Sequence, residues 1–504
     1  MTRDGTITVS GSPALDYSSV ESRTITNTAS EGVTVSVAGG DGSADGNDSY
    51  EVRRSGLDLQ ILIDGTVATS VPFADVAGIT VTGTGDADTL TVDFGGQAIT
   101  SVIPGGNLNY DGGAGADALV LSGTPTTNPS AVTHTFDNAS DGGIDIDGSV
   151  INYTGLAPIT DTLVSGTRTM VFNSSSETIT ISDDGEAGDD ESRIDSTAGE
   201  QLDFQHPTNA LVIRGDGGDD TIDFDGVDSQ FPGTISLTVD GEGGTDSVNF
   251  NTALTLAGLT VTSDAIAVTD AITSGTGTLA AVSGISFGGG SLDVSGGTVD
   301  LTATSGSITG TGDGSPDITA GTINLTVGGA GKDVGTSAAN PLEVDADTSL
   351  NVTTGGSAGD DVFLEDLSGG LRIGEINAGG GLLGRGPGEG VVKEILPFAH
   401  SEPADRVAIE PDLSQCIGGA LAQPFIQGTL LDAEQRGAFC MFPPGIECVA
   451  APLRPAHRHF HAGLDLGKGA VGPRALVERH HDVAAKQALD LHAAFGREHV
   501  LAAI

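Results

Sequence analysis

The stretch that decides the fold is LVIRGDGGDDTIDFDG, which runs from Leu211 to Gly226. It contains a short apolar strand, a turn of glycine and aspartate, and a second strand in which apolar and polar residues alternate. Glycine adopts backbone conformations that other residues avoid, and aspartate accepts hydrogen bonds from the amides of a turn. The β-branched residues on both sides favour strands. The stretch therefore predicts two strands joined by a sharp corner.

The same pattern recurs in four other places: VTGTGDADTLTVDF (81–94), NYDGGAGADALVL (109–121), VDGEGGTDSVNF (239–250) and GGSAGDDVFL (355–364). Repeats of this kind are typical of solenoids, in which each unit packs only on its neighbours. The chain has 77 Gly, 4% aromatic residues and no Trp among 504 residues, which is little material for one large core. We predict an all-β, right-handed parallel β-solenoid (β-helix) for most of the chain. A β-sandwich is the alternative, but it needs a bulkier core.

Changes in composition divide the chain into four segments. We interpret residues 1–80 as β-strand repeats, 81–250 as β-solenoid with Gly/Asp-rich corners, and 251–380 as β-helix rungs. Residues 381–504 are different, because they hold 8 of the 10 His and all three Cys. A helix-compatible run at 473–494 predicts a short α-rich or poorly ordered tail. Translation of G+C-rich DNA out of frame is the alternative explanation of this tail.

The charge of the chain is −49, and nearly all of the excess lies in residues 1–380, with 9 Lys and Arg against 55 Asp and Glu. Contacts with phosphate need basic residues, so we expect no binding of nucleic acid or of anionic membranes by this part. Of its acids, 44 are Asp and 11 are Glu. Aspartate is the acid that favours turns, and it is also a common ligand of hard cations.

The first residues, MTRDGTITVSGSP, enter strand-like sequence without a charged and then apolar leader, and no stretch of about 18 apolar residues is present for a membrane span. We therefore expect no membrane insertion by this chain. The ends of a solenoid normally carry a cap. Because the first strand begins without one, we expect the chain to be a fragment of a larger protein.

The corners resemble the calcium-binding nonapeptide G-G-x-G-x-D-x-U-x of RTX proteins, in which U is a large apolar residue. The segment 112–119 matches every fixed position, and the other corners match only in part. The resemblance implies that one aspartate in each corner binds Ca²⁺, namely Asp88, Asp117, Asp220, Asp246 and Asp361. A sixth corner, Gly185 to Ser192, keeps an aspartate, Asp190, but lacks the apolar residue.

Spacing limits what this resemblance implies. Neighbouring corner aspartates lie 26 to 30 residues apart, whereas tandem nonapeptides place them nine apart. An isolated corner offers too few of the six to eight oxygens that Ca²⁺ prefers. We therefore favour a structural turn capped by aspartate, with weak calcium binding as the alternative.

Beyond the corners, residues from about 79 to 380 resemble segments of large, repeat-rich bacterial surface proteins of the haemolysin/haemagglutinin-like adhesin type. The resemblance is carried by phrases such as DGSVINYTGLAPITDTL, NPLEVDADTSLNVTTGG and DVFLEDLSGGLRIGEINAGG. It implies a structural or adhesive role in a secreted or cell-surface protein. The implied location is extracellular, and the implied partners are an extracellular surface, polysaccharide or other cells.

The alternative function is that of a carbohydrate-active β-helix enzyme, a polysaccharide lyase or hydrolase. Such enzymes pair two carboxylates across a groove, and carboxylates are abundant here. Aromatic platforms for sugars are scarce, and the repeats contain no serine-elbow, P-loop or zinc-protease motif. We therefore expect no enzymatic activity. In the tail, His457, His459 and His461 could share one face of a strand, but the cysteines lack metal-site spacing, so surface histidines are the favoured interpretation.

Overall fold

The computed structural model describes residues 3–9, 15–20, 33–39, 46–357, 359–367, 372–378, 383–385, 447–450 and 462–465. Within these residues the chain is nearly all β, at 57% strand and with no α-helix, which confirms the predicted all-β class. The predicted helical run at 473–494 and the tail histidines lie outside the described residues. Of the three cysteines, only Cys448 lies within them.

The strands of the first half are β1 (Arg3–Val9), β2 (Leu15–Val20), β3 (Val33–Ala38), β4 (Ser49–Ser55), β5 (Asp58–Ile63), β6 (Thr66–Pro72), β7 (Val76–Thr82), β8 (Thr89–Asp93), β9 (Asn107–Asp111), β10 (Asp117–Ser122), β11 (Ala131–Phe136), β12 (Gly142–Ile146), β13 (Ser149–Thr154), β14 (Leu156–Asp161), β15 (Thr167–Val171), β16 (Thr178–Asp183), β17 (Glu191–Ser196), β18 (Leu202–Gln205), β19 (Ala210–Arg214), β20 (Thr221–Phe224), β21 (Ser236–Asp240) and β22 (Ser247–Phe250). Short 3₁₀ turns lie at Phe73–Asp75, Ile99–Ser101 and Pro104–Gly106.

The remaining strands are β23 (Leu254–Leu256), β24 (Gly258–Val268), β25 (Ala271–Ser274), β26 (Gly277–Phe287), β27 (Ser291–Ala303), β28 (Ser307–Thr309), β29 (Ile318–Val327), β30 (Leu342–Thr353), β31 (Val362–Asp366), β32 (Ile373–Asn377), β33 (Leu383–Arg385), β34 (Glu447–Ala450) and β35 (Ala462–Asp465). The first 33 form one connected sheet, whereas β34 and β35 form a separate antiparallel pair.

Most of the large sheet consists of parallel strands stacked coil upon coil, where a coil is one pass of the chain through the stacks. The first stack runs from β3 through β7 and β9 to β13, and continues from β11 through β15, β19 and β21 to the first half of β24. The second stack runs through β4, β8, β10, β14 and β18, and continues through β16, β20, β22 and the second half of β24. A third stack begins at β23 and passes through β25, β27, β29 and β30.

Three antiparallel meanders are built into these stacks: β4–β5–β6, β11–β12–β13 and β16–β17–β18. In the second and third meanders the outer two strands pair in parallel with neighbouring coils, so the sheet continues through the reversal. The whole arrangement is compatible with the all-β solenoid that the sequence predicts.

The core lies between the stacks and is made of alternate residues of each strand. The short strands show this pattern plainly: in β20, Ile222 and Phe224 are buried and their neighbours are partly exposed. Because parallel pairing keeps the register from coil to coil, like residues stack on like. Phe224 stacks on Phe250 with the ring centroids 4.9 Å apart. Each buried aliphatic or aromatic side chain contributes roughly 1.5–3 kcal/mol.

Candidate metal centre and the corner carboxylates

Four of the five aspartates predicted from the sequence are buried at corners that lead from the first stack to the second. Asp88, Asp117, Asp220 and Asp246 are each at most 2% exposed. Each stands at or immediately before the first residue of a strand of the second stack. The corner therefore encloses its carboxylate instead of presenting it to solvent.

Each of these carboxylates is bonded to the coil before its own. Asp117 Oδ1 accepts a hydrogen bond from the amide of Asp88 at 2.7 Å, and Asp88 Oδ1 accepts one from the amide of Asp48 at 2.8 Å. A second run has the same form: Glu177 N donates to Asp220 Oδ1, Asp220 N to Asp246 Oδ1 and Asp246 N to Asp264 Oδ2. We call these two runs the carboxylate ladders. They satisfy amides that the strand ladder leaves open at the corner.

The glycine that lies five residues before the corner aspartate is required for space. A Cβ at Gly241 would lie 2.6 Å from Oδ2 of Asp246, and one at Gly112 would lie 2.7 Å from Oδ2 of Asp117. Neither glycine has a positive φ. The sequence predicted glycine for its backbone freedom, but at this position the physical reason is the close approach of the carboxylate.

Positive φ angles occur at the next residue of the corner. They are found at Gly113, and also at Asp216 and Glu242, where φ is 66° and 61°. Such angles cost a non-glycine residue free energy. The corner thus imposes the same backbone conformation even where its sequence departs from glycine.

The fifth predicted aspartate, Asp361, does not occupy the buried position. That position belongs to Asp360, which is 0% exposed and accepts hydrogen bonds from the amides of Gly331 and Ser357, both at 2.6 Å. Asp361 is half-buried, and its amide donates to Asp333 Oδ1 at 2.7 Å. The sequence offers two adjacent aspartates here, and Gly355, five residues before Asp360, marks the correct one.

Burial governs the charge of the corner carboxylates. It raises the pKa of Asp220 to about 6, against the opposing effect of the Glu177 amide and with a further rise from the Asp246 carboxylate. Burial likewise raises the pKa of Asp117 and of Asp246. One oxygen of Asp117 and one of Asp220 are buried without a hydrogen-bond partner. A single free oxygen is far from the six to eight ligands of a calcium site.

Within the residues that the structure describes, no group of three possible metal ligands contains any of the five predicted aspartates. The two groups that do occur both lie at the hairpin between β16 and β17. One consists of Asp184, Asp189 and Glu191, and the other of Asp190, His206 and Asp228. In each group the ligand atoms all lie within 4.8 Å of one another, so either could hold a cation.

The second of these groups, the histidine cluster, contains the sixth corner motif. Gly185 and Asp190 have the same five-residue separation as the buried corners, but Asp190 is exposed and nothing lies within 4 Å of a Cβ placed at Gly185. The motif here joins two antiparallel strands of one stack, so no neighbouring coil surrounds the carboxylate. Asp190 instead lies near His206 and Asp228.

Ser192 supports the histidine cluster from below. Its Oγ lies 2.9 Å from Nε2 of His206 and accepts a hydrogen bond from the amide of Asp228 at 3.2 Å. A serine and a histidine in this contact resemble the nucleophile and base of a hydrolase. Ser192, however, is 0% exposed, so no substrate atom can reach it. The arrangement supports a ligand-holding role and not nucleophilic catalysis.

The sequence gave no indication of a buried charge network inside the solenoid. His134, Asp161 and Arg168 are all 0% exposed. Arg168 Nη1 pairs with Asp161 Oδ2, Nη2 donates to the Leu163 carbonyl at 2.6 Å, and His134 Nε2 lies 3.0 Å from the same Asp161 oxygen. Although burial opposes it, the Arg168 charge lowers the pKa of Asp161 to about 2. This network is closed on all sides and is structural.

A shallow cleft of about 240 Å³ lies in the three-stack region, lined by residues that include Asp293, Asp313 and Asp317. Asp317 is only 2% exposed, and its Oδ2 accepts a hydrogen bond from the amide of Glu343 at 2.9 Å. Burial raises the pKa of Asp317 to about 7. Its environment is that of a corner carboxylate located behind the cleft wall.

Comparisons with protein family models, with curated proteins and with solved structures find no match for this chain. None of the helices in the described residues has the length and apolar character needed to cross a membrane.

Proposed function

We propose that this chain is a structural and adhesive part of a secreted or cell-surface repeat protein, folded as a right-handed β-solenoid. Parallel strands joined through a crossover connection are right-handed in nearly all proteins, which supports the handedness. The first stack contains about fifteen adjacent strands, and strands lie about 4.8 Å apart, so this sheet extends for roughly 70 Å. The observation that carries the adhesive role is the outer face of that stack.

This outer face presents rows of small polar side chains, which we call the polar array. One row, continuous in register from β24 to β30, consists of Thr260, Thr278, Asp300, Asn324 and Asn351. The next row consists of Thr262, Ala280, Thr302, Thr326 and Thr353. Neighbours in the first row also bond to each other: Asn324 Nδ2 donates to Asp300 Oδ1 at 2.7 Å, and Asn351 Nδ2 to Asn324 Oδ1 at 2.8 Å.

A polar array of this kind fits a repeating, hydroxyl-rich ligand such as a polysaccharide. Hydroxyl and amide groups fixed on a rigid sheet lose little conformational entropy when they bind sugar hydroxyls. A ligand that repeats along its length can contact several rows at once, which multiplies a weak affinity for each contact. The scarcity of aromatic residues fits weak, multiple contacts better than one deep sugar subsite.

The test compares two substitutions in the same strand, β26. Thr278 is exposed in the polar array, and Ser286 is exposed on the outer face of the second stack. We expect full-length protein to be retained on immobilised polysaccharide and on cell surfaces. Thr278→Arg should weaken this retention at least fivefold because the bulky side chain covers two rows, whereas Ser286→Arg should leave it unchanged. Equal effects of the two substitutions, or no retention on any polysaccharide, would contradict the proposal.

A second candidate function, carbohydrate cleavage, is favoured by the cleft with Asp293 and Asp313. Cleavage needs a protonated carboxyl group near a second, ionised one. The buried Asp317 has the raised pKa but not the access. Incubation of the same polysaccharides with the protein, followed by measurement of new reducing ends or unsaturated products, decides between the two functions. Turnover that Asp313→Asn abolishes would establish an enzyme, and retention without turnover would leave the adhesive role.

A further inference from the structure

Three segments of the chain converge at the end of the hairpin formed by β16 and β17. Asp190 directly precedes β17, His206 directly follows β18, and Asp228 follows β20. One carboxylate oxygen of each aspartate and one ring nitrogen of the histidine lie within 4.8 Å of one another. The acidic residues alone would be an ordinary solvated surface. The histidine is what distinguishes this place.

His206 is 5% exposed, and its Nδ1 is buried without a hydrogen-bond partner in the described residues. A buried polar atom of this kind costs free energy unless a ligand satisfies it. Burial also lowers the pKa of His206, although the surrounding carboxylates, Asp228 first among them, oppose this, so the ring is neutral near pH 7. A neutral imidazole has a lone pair on one nitrogen, as a metal ligand must.

Ser192 selects which nitrogen carries that lone pair. Its Oγ can accept two hydrogen bonds, one from the Asp228 amide and one from Nε2–H of His206. This assignment places the proton on Nε2 and leaves the lone pair on Nδ1. Histidines that bind metals commonly donate their second ring N–H to such a neighbour, which fixes the orientation of the ring.

The two aspartates complement the histidine in different ways. The Asp228 carboxylate is buried and held in place by the amides of Gly188 and Gln230, and each of its oxygens can still accept a further contact. Asp190 is exposed, so its side chain is free to close over an ion. Ligands of a tetrahedral ion lie roughly 3.5 Å apart for metal–ligand bonds of about 2.1 Å. A movement of about 1 Å by Asp190 would therefore complete the set.

We propose that Asp190, His206 and Asp228 bind one divalent transition-metal ion, with water in the remaining positions. A donor set of one imidazole and two carboxylates suits Mn²⁺, Co²⁺ or Zn²⁺, whereas Ca²⁺ prefers oxygen ligands alone. The bound ion would fasten the β16–β17 hairpin to the coils on which His206 and Asp228 lie. This site is distinct from the calcium sites that the corner aspartates suggest.

The experiment uses Mn²⁺ and the full-length chain. Thiolates bind Mn²⁺ poorly, so the tail cysteines contribute little. The loss of the free-ion signal in electron paramagnetic resonance counts the bound Mn²⁺, and we expect Asp190→Asn to remove one site or to weaken it at least tenfold. Asn tolerates the positive φ of 68° at this position, and the side chain is exposed, so the fold is retained.

Two control variants make the result specific. Asp195→Asn removes one exposed carboxylate from the same hairpin outside the cluster, and it should leave Mn²⁺ binding unchanged. Asp189→Asn reports on the neighbouring acidic group and should not affect the site. Unchanged binding in Asp190→Asn would overturn the proposal. A loss of binding in Asp195→Asn equal to that in Asp190→Asn would also overturn it, because it would show attraction by net charge only.

His206→Gln provides a second readout. It keeps a polar side chain but removes the imidazole nitrogen, so the site should be lost here as well. Circular dichroism establishes whether the variant is folded, and Co²⁺ provides the matching spectroscopic test. Coordination by His206 and two carboxylates in the wild-type chain should give visible d–d bands that are absent from His206→Gln and Asp190→Asn. Bands of equal strength in all three proteins would place the ion elsewhere.

Discussion

The corner from Gly241 to Asp246 and the hairpin loop from Gly185 to Asp190 have the same glycine-to-aspartate spacing but different structures. The first carboxylate is buried and receives an amide from the previous coil, whereas the second is exposed beside a histidine. The corner joins two parallel stacks and has neighbouring coils, and the loop joins antiparallel strands of one stack. The comparison shows that the motif makes a buried corner only where another coil supplies the donor.

The largest expected effect comes from the glycine. Gly241→Ala places a Cβ 2.6 Å from Oδ2 of a carboxylate that has no room to move, and overpacking of this kind costs about 3 kcal/mol. Gly185→Ala meets no atom within 4 Å, so only its φ of 110° is unfavourable, which costs about 1 kcal/mol. Urea denaturation of the two variants measures the difference. Equal losses of stability would mean that backbone conformation, and not space, selects glycine in the corner.

The aspartates should differ by a smaller amount. Asp88 accepts hydrogen bonds from the amides of Asp48 and Thr84 and from the Thr84 hydroxyl. In Asp88→Asn an NH₂ group must face an N–H donor, and the loss of that buried bond costs about 2 kcal/mol. Asp190→Asn, without metal, should lie within about 0.5 kcal/mol of the wild type because the side chain is exposed. The same denaturation measurement tests both, and a cost for Asp190→Asn as large as that for Asp88→Asn would remove the distinction between corner and loop.

The smallest effect concerns pH. Burial raises the pKa of Asp220 to about 6 and that of Asp317 to about 7, above the values near 4 expected in the unfolded chain. The folded state therefore binds protons more tightly between about pH 4 and pH 7, so stability rises as the pH falls through this range. We expect the melting temperature to be a few degrees higher at pH 5 than at pH 8.

Asp220→Asn isolates the corner contribution to this pH dependence. The variant should reduce the difference between pH 5 and pH 8, whereas Asp190→Asn should not change it. Measurements in 0.5 M salt suppress the general repulsion of a chain of charge −49. A wild-type melting temperature that falls steadily from pH 8 to pH 5 would contradict the raised pKa values.

The sequence was sufficient to predict strands and corners because both are local. Alternation in a segment such as β20, with a Gly-rich turn before it, fixes which residues face the core. The sequence also indicated that a corner aspartate caps backbone amides. It did not indicate whose amides, because the donor to Asp220 lies 43 residues earlier, at Glu177.

The histidine cluster could not be predicted for the same physical reason. Asp190, His206 and Asp228 are separated by 16 and 22 residues, and only the β16–β17–β18 meander and the pairing of β16 with β20 bring them together. The one local signal was a corner motif without its apolar residue. That missing residue marks the place where the chain reverses direction instead of passing to the next stack.

The carboxylate ladders have a direction, and it follows the order in which the chain is made. In both ladders the amide of each coil is satisfied by a side chain of the coil that is synthesised after it, as Asp88 N is by Asp117. A protein that folds as it emerges from the ribosome therefore always has one incomplete coil at its growing end. Each new coil completes that one and exposes its own open amide, so the solenoid lengthens like a zipper from the amino-terminal side.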